Sequence, residues 1–175
     1  MFIITAGLPK AGKSRAIDML RGRNNTKWHV IRPSDWIPDN LANLDQDIQR
    51  SFTVECWSVA IEKCREAISE IPPREIIVLD GCNSKINTVL ALIGDARAAM
   101  HHVVLFFVQA QINLCLQRDA KLTTSLLTDY AERYKVCLPK YKKLCDLFLV
   151  VRNNGTLEQL GTELHDTWKR LCQNI

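Results

Sequence analysis

The residues Gly7-Leu8-Pro9-Lys10-Ala11-Gly12-Lys13-Ser14 follow the pattern G-x-x-x-x-G-K-S, between the apolar run Phe2–Thr5 and the helix-permissive stretch Arg15–Leu20. A strand, a glycine loop and a helix in that order let successive backbone N–H groups wrap a polyphosphate. The two glycines permit the tight turn and the close approach. The Lys13 ammonium reaches the β and γ oxygens, and the Ser14 hydroxyl suits Mg²⁺. Residues 7–14 therefore predict a nucleoside-triphosphate site that takes ATP with Mg²⁺.

Ligands of open α/β sheets bind at the carboxyl ends of the strands, so the polar residues after each apolar run are the next candidates. Arg32-Pro33-Ser34-Asp35-Trp36 follows the run Trp28–Ile31. A carboxylate there faces the γ-phosphate across the cleft and can take the proton of an attacking hydroxyl, which makes Asp35 the candidate general base. Arg32 and the aromatic Trp36 would meet the acceptor. Asp80 follows the run Glu75–Leu79 and leads into Gly81-Cys82-Asn83, a position suited to a water-mediated Mg²⁺ contact. Arg118-Asp119-Ala120-Lys121 lies beyond the run Val103–Val108 and can place basic groups over the phosphates. Arg152-Asn153-Asn154-Gly155 closes the last run, Leu147–Val151, as a candidate wall for the nucleotide base or a plain turn.

These candidates need a sheet to hold them. The five runs are almost uniformly apolar, as strands buried on both faces are, and helical segments separate them. Ile48, Phe52, Cys56, Val59, Ala60, Cys64, Ala67 and Ile71 recur at helical spacing in one long amphipathic segment stopped by Pro72-Pro73. Further helices are expected around Ile86, Val89, Leu90 and Ile93, over Gln109–Gln117, and after Thr156-Leu157-Glu158-Gln159, which resembles a capping box. The economical fold is one α/β domain over residues 1–175, a five-stranded parallel sheet with helices on both faces.

Composition agrees. With 47% hydrophobic and 24% charged residues over 175 positions, the chain falls among ordinary soluble globular domains. No apolar run approaches the roughly 20 residues of a membrane span, and no secretory leader precedes the glycine loop, so a cytoplasmic protein without membrane contact is expected. The seven scattered cysteines include no C-x-x-C pair and are expected to be reduced and mostly buried. The net charge of +4 is uneven. Lys10, Lys13, Arg15, Arg21, Arg23, Lys27 and Arg32 face Asp18 alone among the first 32 positions. Arg133, Lys135, Lys140, Lys142 and Lys143 form a second cluster, either a nucleic-acid contact or a solvated helix face.

Taken together, the phosphate loop, Asp35, Asp80 followed by Asn83, and the basic segment at Arg118 resemble the small P-loop kinases. The resemblance is closest to bacteriophage polynucleotide 5′-kinases and to phage kinases that phosphorylate the hydroxymethyl group of 5-hydroxymethyluracil in DNA. It implies ATP and Mg²⁺ as ligands and DNA as the partner that carries the acceptor hydroxyl, in the cytoplasm of a host cell if phage-encoded. Lys13, Ser14 and Arg118 would act on the donor, Asp35 as base, and Arg32, Trp36, Asn83 and Lys121 on the acceptor. A lid over about residues 118–126 is also implied. The chain departs from that pattern where an acceptor-gripping arginine is expected, since Trp36-Ile37-Pro38-Asp39 stands there. Lys121 replaces the lid's second arginine and cannot form a bidentate fork. A 5′-hydroxyl and a modified base thus remain alternative acceptors, and a small-metabolite or nucleotide kinase remains open beside them. Asp80-Gly81-Cys82-Asn83 lacks the arginine expected of a nucleoside monophosphate kinase, and no Asn-Lys-x-Asp guanine signature is present. Lys13, Ser14, Asp35 and Asp80 together argue against a non-catalytic ATP-binding module.

Overall fold

The structure, a computed structural model, describes residues 1–22, 26–38, 40–41 and 45–173. Arg23 and Asp39, both used in reading the sequence, lie outside the described residues. Five strands form one sheet: β1 (Phe2–Ala6), β2 (Trp28–Ile31), β3 (Ile76–Leu79), β4 (Val103–Gln109) and β5 (Leu147–Arg152). Their order across the sheet is β2-β3-β1-β4-β5, and every pairing is parallel. Parallel neighbours require crossovers, which the helices supply: α1 (Lys13–Arg21), α2 (Gln46–Glu70), α3 (Ile86–Ala98), α4 (Ile112–Arg118), α5 (Thr124–Leu144) and α6 (Leu157–Gln173). A 3₁₀ turn, Pro33–Trp36, follows β2.

The strands match the apolar runs closely because central strands have no solvent face. Every residue of β1 and β3 is buried, so the middle of the sheet is covered on both sides. The edge strands differ: β2 is half-buried beyond Trp28, and β5 alternates towards its end. Helix α1 packs on α6, while α3 packs on α2 and α5.

Local signals explain the helix ends. Asp45 caps α2 by accepting the Asp47 N–H at 2.8 Å, and α2 stops just before Pro72-Pro73. The capping box of α6 is reciprocal: Thr156 N–H donates to Gln159 Oε1 at 2.9 Å and Gln159 N–H to Thr156 Oγ1 at 3.3 Å.

One expectation needs correction. The helix expected from Gln109 begins at Ile112 instead, because Gln109 is still paired with Arg152 in the β4–β5 ladder. The basic stretch Arg133–Lys143 lies on α5, whose other face buries Leu127, Tyr134, Cys137 and Tyr141. The cysteines form no disulfide, four of them are buried, and burial pushes the Cys64 thiol up to about 12. No described helix is long and apolar enough to cross a membrane.

Ile4 is completely buried at the centre of β1, whereas Val150 on the edge strand is exposed. Ile4→Ala should therefore cost about 2–5 kcal/mol in chemical denaturation, and Val150→Ala within about 0.5 kcal/mol.

Candidate functional site

The phosphate loop leaves the central strand and turns into α1. Gly7 has φ +139°, Lys10 φ +60° and Gly12 φ +95°, so the loop bends through the left-handed region three times. Side chains would not fit at its two glycines. A Cβ on Gly7 would lie 2.3 Å from the Val108 carbonyl oxygen, and one on Gly12 would lie 2.3 Å from Asn153 Nδ2. Leu8 and Ala11 are buried, Pro9 is half-buried, and Lys10 and Ser14 are exposed. Lys13 is buried and donates to Gly7 O at 3.0 Å and Leu8 O at 2.7 Å, so its ammonium lies across the loop. Gly12 begins α1 with no side-chain cap, and no acid lies in the first turn. The positive end of the helix dipole thus lacks an internal counter-charge, as an anion site requires.

Since all strands are parallel, β1, β3 and β2 deliver the loop, Asp80 and Asp35 to one edge of the sheet. Asp80 is fully buried in its side chain, and both of its oxygens have protein donors. Oδ2 accepts from Arg32 Nε at 2.8 Å, and Oδ1 lies 3.3 Å from the Thr5 hydroxyl. Arg32, expected at the acceptor, instead bridges Asp80 and Asp18, the latter at 2.5 Å. Burial lowers the Arg32 pKa, but its bonds to the two carboxylates outweigh this and raise it, so Arg32 stays charged.

Asp35 follows β2, which stands two places from β1 in the sheet. It is exposed in the 3₁₀ turn, with no side-chain partner among the described residues. Trp36 beside it is 38% exposed, and its carbonyl accepts from Cys56 Sγ.

The other flank of the loop belongs to Arg118 and Asn153. Arg118 Nη1 donates to Lys10 O at 3.1 Å, and Nη2 approaches Asn153 O at 3.3 Å and Oδ1 at 3.4 Å. Asn153 Nδ2 in turn donates to Ala11 O at 2.7 Å. With Gly12, Arg15, Gly155 and Leu157 these residues line a cavity of about 370 Å³ that opens beside the loop. Arg152, by contrast, is exposed, and Asn153 occupies the contact with the loop. The expected lid comprises the end of α4, residues 119–123 and the start of α5. There Asp119 pairs with Lys10 at 3.2 Å and accepts the Lys121 N–H at 3.0 Å. Those two groups, the Lys121 N–H foremost, hold its carboxyl below its ordinary value, while the Lys121 side chain is exposed.

A second pocket, of about 200 Å³, lies between α2, the β3–α3 loop and α5. Trp57 and Tyr130 supply ring surfaces, Ser58, Ser84 and Thr88 hydroxyls, and Lys85 and Arg133 positive charge; no acid is among its described lining residues. Asn83, expected at the acceptor, belongs to this wall, yet its amide is turned inward. Nδ2 donates to Thr5 O at 2.8 Å and lies 3.2 Å from Leu79 O, leaving Oδ1 buried without a partner. Sequence reasoning missed the pocket's α5 side. The only signal was helical spacing of Leu127, Tyr130, Tyr134, Cys137 and Tyr141, masked by the basic residues between them.

Mg²⁺ fits this donor set. Among the described residues no three His, Cys, Asp or Glu side chains could hold a metal by themselves. Mg²⁺ is ordinarily held by one or two protein oxygens and the phosphates of its nucleotide, and Ser14 and Asp80 are oxygen donors of that kind.

No protein-family model and no curated protein matches the sequence. The fold does match solved structures. Kti12 from Chaetomium thermophilum in complex with ADP-AlF3 is 16% identical with a TM-score of 0.61, covering 97% of this chain and 98% of that one. Shikimate kinase from Acinetobacter baumannii in complex with shikimate is 11% identical, with a TM-score of 0.65 over 99% and 93% of the two chains. A gluconokinase from Sinorhizobium meliloti 1021 is 15% identical, with a TM-score of 0.58 over 98% and 93%. The chain has the α/β fold of P-loop kinases.

Asn153 joins Arg118 to the phosphate loop, so Asn153→Ala should weaken MgADP binding about tenfold, the loss of roughly 1.4 kcal/mol. Isothermal titration measures this, and Arg152→Ala should leave the affinity within about twofold by the same comparison.

Proposed function

We propose that this chain is an ATP-dependent phosphotransferase that moves the γ-phosphoryl group to a hydroxyl on a small unit bound between α2 and α5. The observation that carries the reading is the pairing of two sites at one sheet edge. One is an uncapped phosphate loop, and the other is a separate pocket with ring surfaces, hydroxyls and a basic rim.

Phosphoryl transfer asks the protein chiefly to position the two partners and stabilise charge. Backbone N–H groups of residues 7–14 and the Lys13 ammonium bind the donor phosphates. Arg118 neutralises charge from the opposite flank, and Ser14, with Asp80 through water, would hold Mg²⁺, which would draw charge from the phosphate oxygens. Asp35 orients the acceptor hydroxyl and accepts its proton as the new O–P bond forms. Lys85 and Arg133 in the pocket lining favour an acceptor that also carries an anionic group.

Pocket size favours a single ring-sized acceptor such as a small hydroxy acid, sugar or nucleotide. The names of the similarly folded shikimate kinase and gluconokinase support this side of the reading. A second reading keeps the pocket but places the acceptor unit in DNA, as a 5′-hydroxyl or the hydroxymethyl of 5-hydroxymethyluracil. Trp36 and Ile37, each 38% exposed beside Asp35, favour it because an aromatic and an apolar side chain can stack on neighbouring bases.

Incubation with labelled ATP and a panel of hydroxy acids, sugars, nucleotides, RNA, 5′-hydroxyl DNA and 5-hydroxymethyluracil DNA tests both. Label on a small molecule, insensitive to salt, supports the first reading. Label on DNA that falls steeply with salt supports the second. ATP hydrolysis without a labelled acceptor would falsify phosphoryl transfer to any member of the panel. With the acceptor so identified, Asp35→Asn should keep nucleotide affinity and lower turnover by about 10²–10⁴-fold. Arg133→Gln should raise the acceptor KM about tenfold and leave the ATP KM unchanged.

A further inference from the structure

The chain has three tyrosines, and all three lie on α5, at positions 130, 134 and 141. Tyr130 lines the acceptor-side pocket, while Tyr141 donates to Asn83 O at 3.2 Å in the wall of the same pocket. Tyr134 does something different. Its buried hydroxyl lies 2.8 Å from Gly7 O in the phosphate loop and also touches Cys82 O, in the β3–α3 loop that walls the pocket. Phe107 packs edge-on against the Tyr134 ring at 5.7 Å between centroids, which fixes the ring's position.

A phenol carries one proton, yet two carbonyls face this one. Gly7 O also accepts from Lys13 Nζ at 3.0 Å. Lys13 and Tyr134 therefore meet on a single oxygen. Lys13 is the group whose ammonium must turn towards phosphate when a nucleotide binds, and that turn removes one donor from Gly7 O. The carbonyl then draws more strongly on the Tyr134 proton, at the expense of Cys82 O.

We propose that Tyr134 is a positioning residue that links donor binding to the acceptor pocket, its one hydroxyl proton being shared between Gly7 O and Cys82 O. The inference rests on the proposed function in taking residues 7–14 as the donor phosphate site and the Cys82 loop as the acceptor wall. Burial raises the pKa of Tyr134, so the phenol remains a donor throughout the working pH range.

Hydrogen exchange with MgADP as the probe tests the link without knowledge of the acceptor. In the wild-type chain MgADP should slow exchange at residues 7–14 and change exchange over residues 81–85 by at least about threefold. Gly81 N–H is a ready reporter there, being bonded to Thr5 Oγ1 at 2.9 Å. In Tyr134→Phe the protection at 7–14 should persist while the response at 81–85 disappears. Tyr141→Phe, which loses a buried hydroxyl bonded to Asn83 O and to the Cys137 thiol but not to the phosphate loop, should keep both. A response at 81–85 that survives in Tyr134→Phe overturns the proposal, as does its absence in the wild type when 7–14 is protected. Lack of MgADP protection at 7–14 overturns the phosphate-site reading and this inference with it, so the two failures are distinguishable. Should Tyr134→Phe not fold, Lys13→Met supplies the other arm. Without an ammonium on Gly7 O, exchange at 81–85 should already have its MgADP-shifted value, and an unshifted value overturns the link.

Discussion

The route of the backbone from β1 into α1 constrains everything else in this molecule. At Gly7 the chain passes so close to β4 that the Val108 carbonyl occupies the space of a Cβ, and at Gly12 the Asn153 amide does the same. These two approaches fix the height and tilt at which the loop leaves the sheet. They also leave the α1 N-terminus without a cap, so its N–H groups and the Lys13 ammonium form a concentrated positive field. Because β1 is the central strand, any shift of its neighbours would move the loop. The uniform burial of β1 and β3 is what holds it still.

Beside that loop the buried Asp80 carboxylate is matched before any ligand enters. Arg32 joins Asp80, Asp18 and, through its own carbonyl, which accepts the Asp35 N–H at 3.0 Å, the turn that carries Asp35. A fully buried carboxylate such as Asp80 would be costly alone, and the guanidinium offsets that cost with directed bonds. Between its two carboxylates Arg32 adds little net positive charge of its own. In the pocket between α2 and α5 the positive charge comes from Lys85 and Arg133, and Asp129 tempers Arg133 through a salt bridge on the same helix. Helix α5 thus performs three tasks. Its first turn follows residues 119–123, its middle forms a pocket wall, and its tyrosines reach both the phosphate loop and the β3–α3 loop.

Much of this could be read from residue order. The five apolar runs became five strands because strands buried on both faces have no polar positions to obscure them. Pro72-Pro73 and Thr156–Gln159 marked helix ends through local chemistry that does not depend on the rest of the fold. The phosphate loop was legible for the same reason, its function lying in consecutive residues. Arg118 was legible as a basic group following β4, though not its bond to Lys10 O. The roles of Arg32 and Asn83 were not legible, since both are set by partners 48 and 78 positions away. Asn153 was passed over in favour of Arg152 because alternation along β5 decides which of two adjacent residues turns inwards.

The sequence by itself determined the fold class, the donor loop and the order in which Asp35, Asp80 and Arg118 follow their strands. Short-range patterns suffice for these, since glycine geometry, helical period and strand apolarity act within a few residues. Only the tertiary structure decided which strands are neighbours, that Arg32 is tied to Asp80, and that α5 closes a second pocket beside the first. Those outcomes depend on the strand order β2-β3-β1-β4-β5, which brings distant segments to one edge and which no local interaction encodes.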